Sequence, residues 1–315
     1  MSTKLAIAIP TYNRAEMLEY NLLQIIDELI QYHIPVYISD DSTNDETEKV
    51  FDRLKDKHKL FHYKKNEISL GHDLNCLHTI SLPIENYVWY MGDSMIIKKG
   101  AIQKILSIMD GGDYDFICCN AEGRDLDINN MVFSNGVELM EMLCWHLTMT
   151  GATVYNKSKI FDIANFEVSK FKNFPQIAII FEQFAANESR LFWTNEKLIY
   201  SNSQKNSYWE SKVFEVFIDD YRSFLYNLSE VYTMGAKNGA LLQHSLKTGI
   251  FSCRSFVLYR IGGFYNYEIF KKYKDDFKNF TRTNSLFLLI LSFVWIKPLS
   301  KFNFFLRRIN LNFRN

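Results

Sequence analysis

Leu5-Ala-Ile-Ala-Ile-Pro-Thr-Tyr-Asn-Arg14 is the stretch on which the fold turns. Its first five residues are a short apolar run closed by Pro10, which predicts a buried strand running into a polar turn. Residues 15 to 31 follow with Met17, Leu18, Leu22, Ile25, Ile26 and Leu29 close to helical spacing. The alternation continues outward. Val36-Tyr-Ile38 predicts a second strand, closed by Ser39-Asp-Asp-Ser-Thr-Asn-Asp45, and a polar helix is expected from Glu46 to Lys57. Leu60 to Tyr63 predicts a third strand and residues 73 to 81 a helix. Tyr87-Val-Trp-Tyr-Met91 predicts a strand ending at Gly92-Asp93-Ser94, and a helix over Ala101 to Met109 leads to a strand at Phe116-Ile-Cys-Cys119. Strands alternating with helices predict an α/β domain with a mainly parallel sheet. In open sheets of that kind ligands sit beyond the carboxyl ends of the strands.

Three polar clusters fall at such ends. At Pro10-Thr-Tyr-Asn-Arg14, backbone amides and short polar side chains can hold a nucleotide's base or phosphates, and a plain strand exit with a helix cap would read the same way. In Ser39-Asp-Asp-Ser42 a carboxylate such as Asp41 can accept the imide N–H of uracil. The alternative there is an N-cap cluster, with Thr43 to Glu46 as a capping box. At Gly92-Asp-Ser94, an acid displayed at the end of a buried strand can hold Mg²⁺ or Mn²⁺, which offsets charge developing on a leaving diphosphate. The alternative is ordinary turn chemistry.

Composition bounds the classes. With 315 residues, 47% hydrophobic, 26 Phe and 18 Tyr, the chain has material for a large core and is not a disordered protein. Thirteen Gly and five Pro exclude collagen-like and low-complexity classes. Thirty-six basic against 36 acidic residues argue against nucleic-acid binding through bulk charge. Cys76, Cys118, Cys119, Cys144 and Cys253 are odd in number and form no CxxC pair, so a reducing cytoplasm is expected. Leu5 to Ile9 is too short for the core of a signal peptide. No HExxH pair, GxSxG elbow or GxxxxGK[ST] loop is present.

In this order and spacing the three clusters resemble the family 2 glycosyltransferases, nucleotide-sugar enzymes of the GT-A fold, nearest to bacterial O-antigen and capsule transferases of the abequosyltransferase-like kind. The resemblance rests on Pro10, Thr11, Tyr12 and Asn13, on Asp41, on Asp93, and on Leu70-Gly-His-Asp-Leu-Asn75. It implies donor contacts from those residues, with Arg14 beside them and Gly71 and Asn75 on the nucleotide side of the cleft. His72 is a further candidate for a donor-phosphate or acceptor contact. The metal would be Mg²⁺ or Mn²⁺ at Asp93. The match covers residues 4 to about 120 well, 121 to 200 faintly, and the rest not by motif.

The sequence departs from the family pattern twice. Gly92 and Ser94 flank a single Asp93 where the family offers two acids, and Asp125-Leu-Asp127 is a second but poorer metal candidate. Inverting transfer needs a carboxylate to take the acceptor proton, and the resemblance places it near a helix start around residues 170 to 190. There the chain reads Phe174-Pro-Gln-Ile-Ala-Ile-Ile-Phe-Glu-Gln-Phe184. Gln176 cannot act as a base, and Glu182, the one acid of the segment, is either the base, its pKa raised by burial, or a salt-bridged structural residue.

A helical region is expected from 201 to 276, with Phe214, Phe217, Ile218, Tyr221, Phe224, Leu225 and Leu228 on one stripe. Residues 277 to 315 hold seven basic and no acidic side chains, leaving 29 basic against 36 acidic before them, a formal charge of −7. Leu286 to Ile296 is apolar but too short to span a bilayer. The aromatic, basic segment after it suits an interfacial helix on an anionic cytoplasmic membrane surface.

The expected organisation is therefore a GT-A domain over residues 1–200, a helical extension over 201–276 and a membrane-associating tail over 277–315. The expected activity moves a sugar from a nucleoside diphosphate, UDP being the expected nucleotide, to a glycan or lipid-linked acceptor. Two rivals stay open, a catalytically inactive relative that binds glycan or scaffolds, and a sugar nucleotidyltransferase.

Overall fold

The computed structural model describes residues 4–124, 126–202 and 209–294. The expectations for Asp125 and for residues 295–315 lie outside them. Two compact units are present. One comprises the described residues up to 202 with 220–237, the other 209–219 with 238–294.

The first unit opens with β1 (Leu5–Thr11), α1 (Ala15–Leu23), α2 (Ile26–Gln31), β2 (Val36–Asp40), α3 (Glu46–Leu54), β3 (Phe61–Lys65), α4 (Gly71–Ser81) and β4 (Tyr87–Tyr90). It continues with β5 (Met95–Ile97), α5 (Ala101–Gly111), β6 (Phe116–Ala121), β7 (Met131–Phe133), α6 (Gly136–Leu147), β8 (Thr153–Asn156), α7 (Pro175–Ala186) and β9 (Leu191–Ser201). All nine strands of the described residues join one sheet in the order β3-β2-β1-β4-β8-β6-β9-β5, with β7 also on β9.

β1 lies between two parallel partners, with Ile7 opposite Val36 on one side and Trp89 on the other. Both of its faces are covered, and Leu5 to Ile9 are all buried, as an unbroken apolar run requires. β3, at the edge, instead alternates buried and more exposed residues. The sheet is parallel through β3-β2-β1-β4 and mixed beyond. β4 and β6 both run antiparallel to β8, β9 is parallel to β6, and β5 and β7 are antiparallel to β9. Half of the eight pairings are thus antiparallel, because the weakly periodic stretch after residue 121 contributes three strands.

Two local expectations need correction. The helix expected over 15 to 31 breaks at Gln24–Ile25 into α1 and α2. The capping box at Thr43 to Glu46 does not form. The residue before α3 is Asp45, which caps no amide, and Thr43 bonds to Asn13 instead.

α7 starts at Pro175, suited to a first turn whose N–H has no partner. Ile177 to Phe181 are buried on every side of it, the pattern of a central helix. After a π-helical segment (Glu215–Asp220) come α8 (Tyr221–Asn227), α9 (Met234–Thr248), α10 (Cys253–Ile261), α11 (Tyr267–Tyr273), α12 (Phe277–Phe280) and α13 (Ser285–Phe293).

The aromatic stripe expected on one helix is buried but divided between the units. In the first, Tyr221 packs on Phe174 and Phe224. In the second, Phe214 centres a cluster with Phe251, Phe256, Tyr259, Tyr265, Tyr273 and Phe277, at centroid distances of 5.6–6.4 Å. Among the described residues no helix is long and apolar enough to cross a membrane.

Candidate active site

Because β2 and β4 both pair in parallel with β1, the turns after all three strands lie side by side. The backbone stitches them together, with Asp41 N donating to Thr11 O and Met91 N to Ala8 O. Asn13, in the left-handed region at φ 53°, clamps the first turn to the second. Its amide donates to Ser42 Oγ at 2.8 Å, and its side-chain oxygen accepts from Thr43 N at 3.1 Å. Neighbouring Tyr12 is exposed.

The third turn is held most firmly. Asp93 is buried, and its carboxylate takes Thr11 Oγ1 at 3.2 Å and Arg14 Nη1 at 3.0 Å. Asn21 Nδ2 of α1 donates to the Asp93 carbonyl at 2.7 Å. Asn202 fixes Asn21 in turn, giving its Nδ2 to Asn21 Oδ1 at 3.0 Å and its N to Ser94 O at 2.9 Å. Neither asparagine was singled out from sequence. Asn21 left one trace, a polar residue on the same turn as buried Leu18 and Leu22. Asn202, 181 residues away, left none.

Asp41 has both oxygens engaged. Oδ1 accepts from Asn66 Nδ2 (3.0 Å) and Leu70 N (2.8 Å), and Oδ2 from Ser69 Oγ (2.7 Å) and Gly71 N (2.9 Å). Burial by itself raises its pKa, and these four donors outweigh that and hold the carboxyl below its usual range. Gly71 has φ 71°, a conformation that favours glycine at the start of α4. Asn75 is buried, its Oδ1 accepting from Ser39 Oγ at 2.6 Å. Asn66 Nδ2, a donor to Asp41, also reaches Asn75 Oδ1 at 3.3 Å, so Gly71, Asn75 and Asp41 belong to one network. The preceding Asp40 accepts from Tyr63 Oη at 2.8 Å and Ser42 N at 2.9 Å.

The base candidates both lie on α7. Glu182, two turns into α7, accepts Ser229 N at 2.9 Å. Gln176 occupies the first turn of α7 and is buried, with Oε1 unpartnered among the described residues. Before α7, Asn173 at φ 65° gives its N to both oxygens of Asp73, at 3.0 and 3.2 Å, and its Nδ2 to Asp220 at 2.7 Å. Asp73 also meets His72 Nδ1 at 2.7 Å. This group was not read from sequence, because residues 73, 173 and 220 meet only in the fold. A cavity of about 750 Å³ lies apart from these turns, lined among others by Lys98, Asn120, Asp127 and Lys197.

The donor set does not fit a resident divalent cation. A hard cation at a nucleotide site takes one or two free carboxylates and completes its shell with waters and phosphate oxygens. Here the single acid of the turn already carries a guanidinium and a hydroxyl, and no cluster of three His, Cys, Asp or Glu capable of holding a metal exists among the described residues.

Residues 6–175 match the family described as Glycosyl transferase family 2, over more than half of the chain. An abequosyltransferase of Salmonella typhimurium is 25% identical over 251 residues, covering 73% of this chain and 75% of the relative. The S. aureus TarS fragment solved with UDP-GlcNAc aligns with a TM-score of 0.57 at 11% identity, covering 89% of this chain and 82% of that one. The mannosyltransferase PcManGT of Pyrobaculum calidifontis, solved with GDP-Man and Mn²⁺, gives a TM-score of 0.57 at 12% identity, covering 95% and 87%. At such identities the two structures establish a common fold. With its strand-end turns gathered on one side of a GT-A sheet and the family match running through all of them, this chain belongs to glycosyl transferase family 2 and is a nucleotide-sugar-dependent glycosyltransferase.

Proposed function

We propose that the enzyme transfers a sugar from a nucleoside diphosphate, UDP being the expected nucleotide, to a hydroxyl of a glycan or lipid-linked glycan during bacterial surface polysaccharide synthesis, with inversion. The observation that carries this reading is the convergence of Thr11, Arg14 and Asp93 at the ends of two adjacent parallel strands, with Asp41 at the end of the third. The likeness to the abequosyltransferase supports a surface-glycan acceptor. The family match favours this reading over a nucleotidyltransferase.

In the reaction the acceptor oxygen bonds to the anomeric carbon as the bond to the diphosphate oxygen breaks. The electron pair leaves with the diphosphate, and the acceptor proton passes to a base. Buried Asp93 fixes the Arg14 and Thr11 side chains where the leaving diphosphate collects charge.

Release of nucleoside diphosphate from a panel of UDP-, CDP- and GDP-sugars tests the reading. One donor should turn over, and Asp93→Ala should cut the rate by about 100-fold or more. A folded enzyme inert towards the whole panel would favour a binding protein. Glu182→Gln keeps an acceptor for Ser229 N, so lost turnover at an unchanged melting temperature would mark Glu182 as the base.

Association with the inner face of the cell membrane belongs to the same proposal. It is supported by the basic residues after position 276 and by the exposed stripe of Leu286, Ile290 and Phe293 on α13.

A further inference from the structure

We infer that Arg14, held by Asp93, takes the place of a divalent cation at the donor diphosphate, so that this enzyme binds its nucleotide sugar without metal. The inference rests on the donor-binding reading of the same turns. Its basis is the pairing itself. The one acid at the position expected to hold a metal is engaged by Arg14 Nη1 at 3.0 Å on Oδ1 and by Thr11 Oγ1 at 3.2 Å on Oδ2. Neither Gly92 nor Ser94 supplies a second carboxylate.

The burial is graded in the sense the role requires. The Asp93 side chain is 8% exposed and that of Arg14 27%, so the anion lies behind and the cation towards solvent. Asn21 and Asn202 fix the backbone on which Asp93 stands, so the carboxylate presents the guanidinium from a set position.

The chemistry suits a diphosphate. A guanidinium is permanently charged, has five N–H donors in a planar fork, and is among the best partners for phosphate oxygens. Engagement of Nη1 by Asp93 orients that fork. As the bond from the anomeric carbon to the diphosphate breaks, the electron pair passes to the departing phosphate oxygen, and charge-assisted hydrogen bonds from Arg14 strengthen with the charge there. The acceptor proton leaves separately to the base. A lone carboxylate already neutralised by arginine has no net charge left to attract a divalent ion.

Isothermal titration of the full chain with UDP, CDP and GDP, first in excess EDTA and then with Mn²⁺, tests this. One nucleotide should bind in EDTA, and Mn²⁺ should change its Kd by less than about threefold. Arg14→Gln should weaken that binding by about tenfold or more at an unchanged melting temperature, and Arg14→Lys should weaken it less. Binding seen only with Mn²⁺ would overturn the inference and leave the donor reading standing, as would an unaltered Kd in Arg14→Gln. Direct Mn²⁺ binding that Asp93→Asn removes would also overturn it. If no nucleotide binds in either condition, the donor reading fails as well. The comparison of EDTA with Mn²⁺ uses the unmodified protein, so it decides even if an Arg14 variant misfolds.

Discussion

Asp41 is a carboxylate whose worth depends on the loop around it. Four donors from residues 66 to 71 converge on it, and the loop leading into α4 is arranged about its charge. Its folded pKa lies below the ordinary 3.8, so the unfolded chain takes up the proton first as pH falls. Its stabilisation is therefore complete above about pH 4 and is lost as acid drives the pH through the folded value. Asp41→Asn removes the charge and turns an amide NH₂ towards donors. Urea denaturation at pH 7 should show a loss of about 2 kcal/mol, shrinking at acid pH as the native protein passes through its lowered folded pKa and loses the same charge. An unchanged midpoint at pH 7 would mean that the loop does not depend on this acid.

The helical and strand elements differ in how openly they were written. β1, β2 and β4 were legible because each is an unbroken apolar run stopped by a polar cluster, and the parallel sheet buries such runs on both faces. β9 was not. Thr194-Asn-Glu-Lys197 interrupts its middle, where the strand passes from β7 at one end to β5 at the other and its pairing with β6 slips. α13 shows the opposite case, a pattern whose meaning lies outside the core. Leu288 and Leu291 face inward, whereas Leu286, Ile290 and Phe293 stand 57–63% exposed at helical spacing. Replacing these three by Ser should lower the melting temperature only by what the Phe293–Tyr267 stack contributes, and should weaken co-sedimentation with phosphatidylglycerol vesicles by about tenfold or more. Equal binding by the triple variant would remove α13 from any membrane contact.

The first unit as a whole carries a buried acid sensitivity. His146 lies in its core with Nε2 on Cys119 O at 2.9 Å and Nδ1 unpartnered among the described residues. Burial, and then the nearby Arg124, press its pKa down to about 3. Arg124 is itself held by the carbonyls of Trp145 and His146 and by Thr148 Oγ1. The unfolded chain protonates this histidine near 6.5 and the native protein only near 3. Stability from this residue is thus full above pH 6.5 and falls as pH drops towards 3, by roughly 1.4 kcal/mol per pH unit. Urea midpoints between pH 7 and 5 should decline accordingly, and His146→Gln should flatten that decline. Parallel curves for the two proteins would assign the acid sensitivity elsewhere.

Much of the site was legible for the same reason as the central strands. Asp41 and Asp93 stand in the polar clusters that close apolar runs, and a strand of that kind places the polar residues after it at the sheet's carboxyl edge whatever the rest of the chain does. Local periodicity was enough to set the α/β class and the positions of Thr11, Arg14, Asp41 and Asp93. It could not set what those side chains touch. Arg14 meets Asp93 across 79 residues, Asn202 meets Asn21 across 181, and Asn173 meets Asp73 across 100. Such pairings come from strand order and helix packing, which bring distant segments within hydrogen-bonding range and leave no mark on any one of them. The turn that reads along the chain as a cation site is, once folded, already an ion pair.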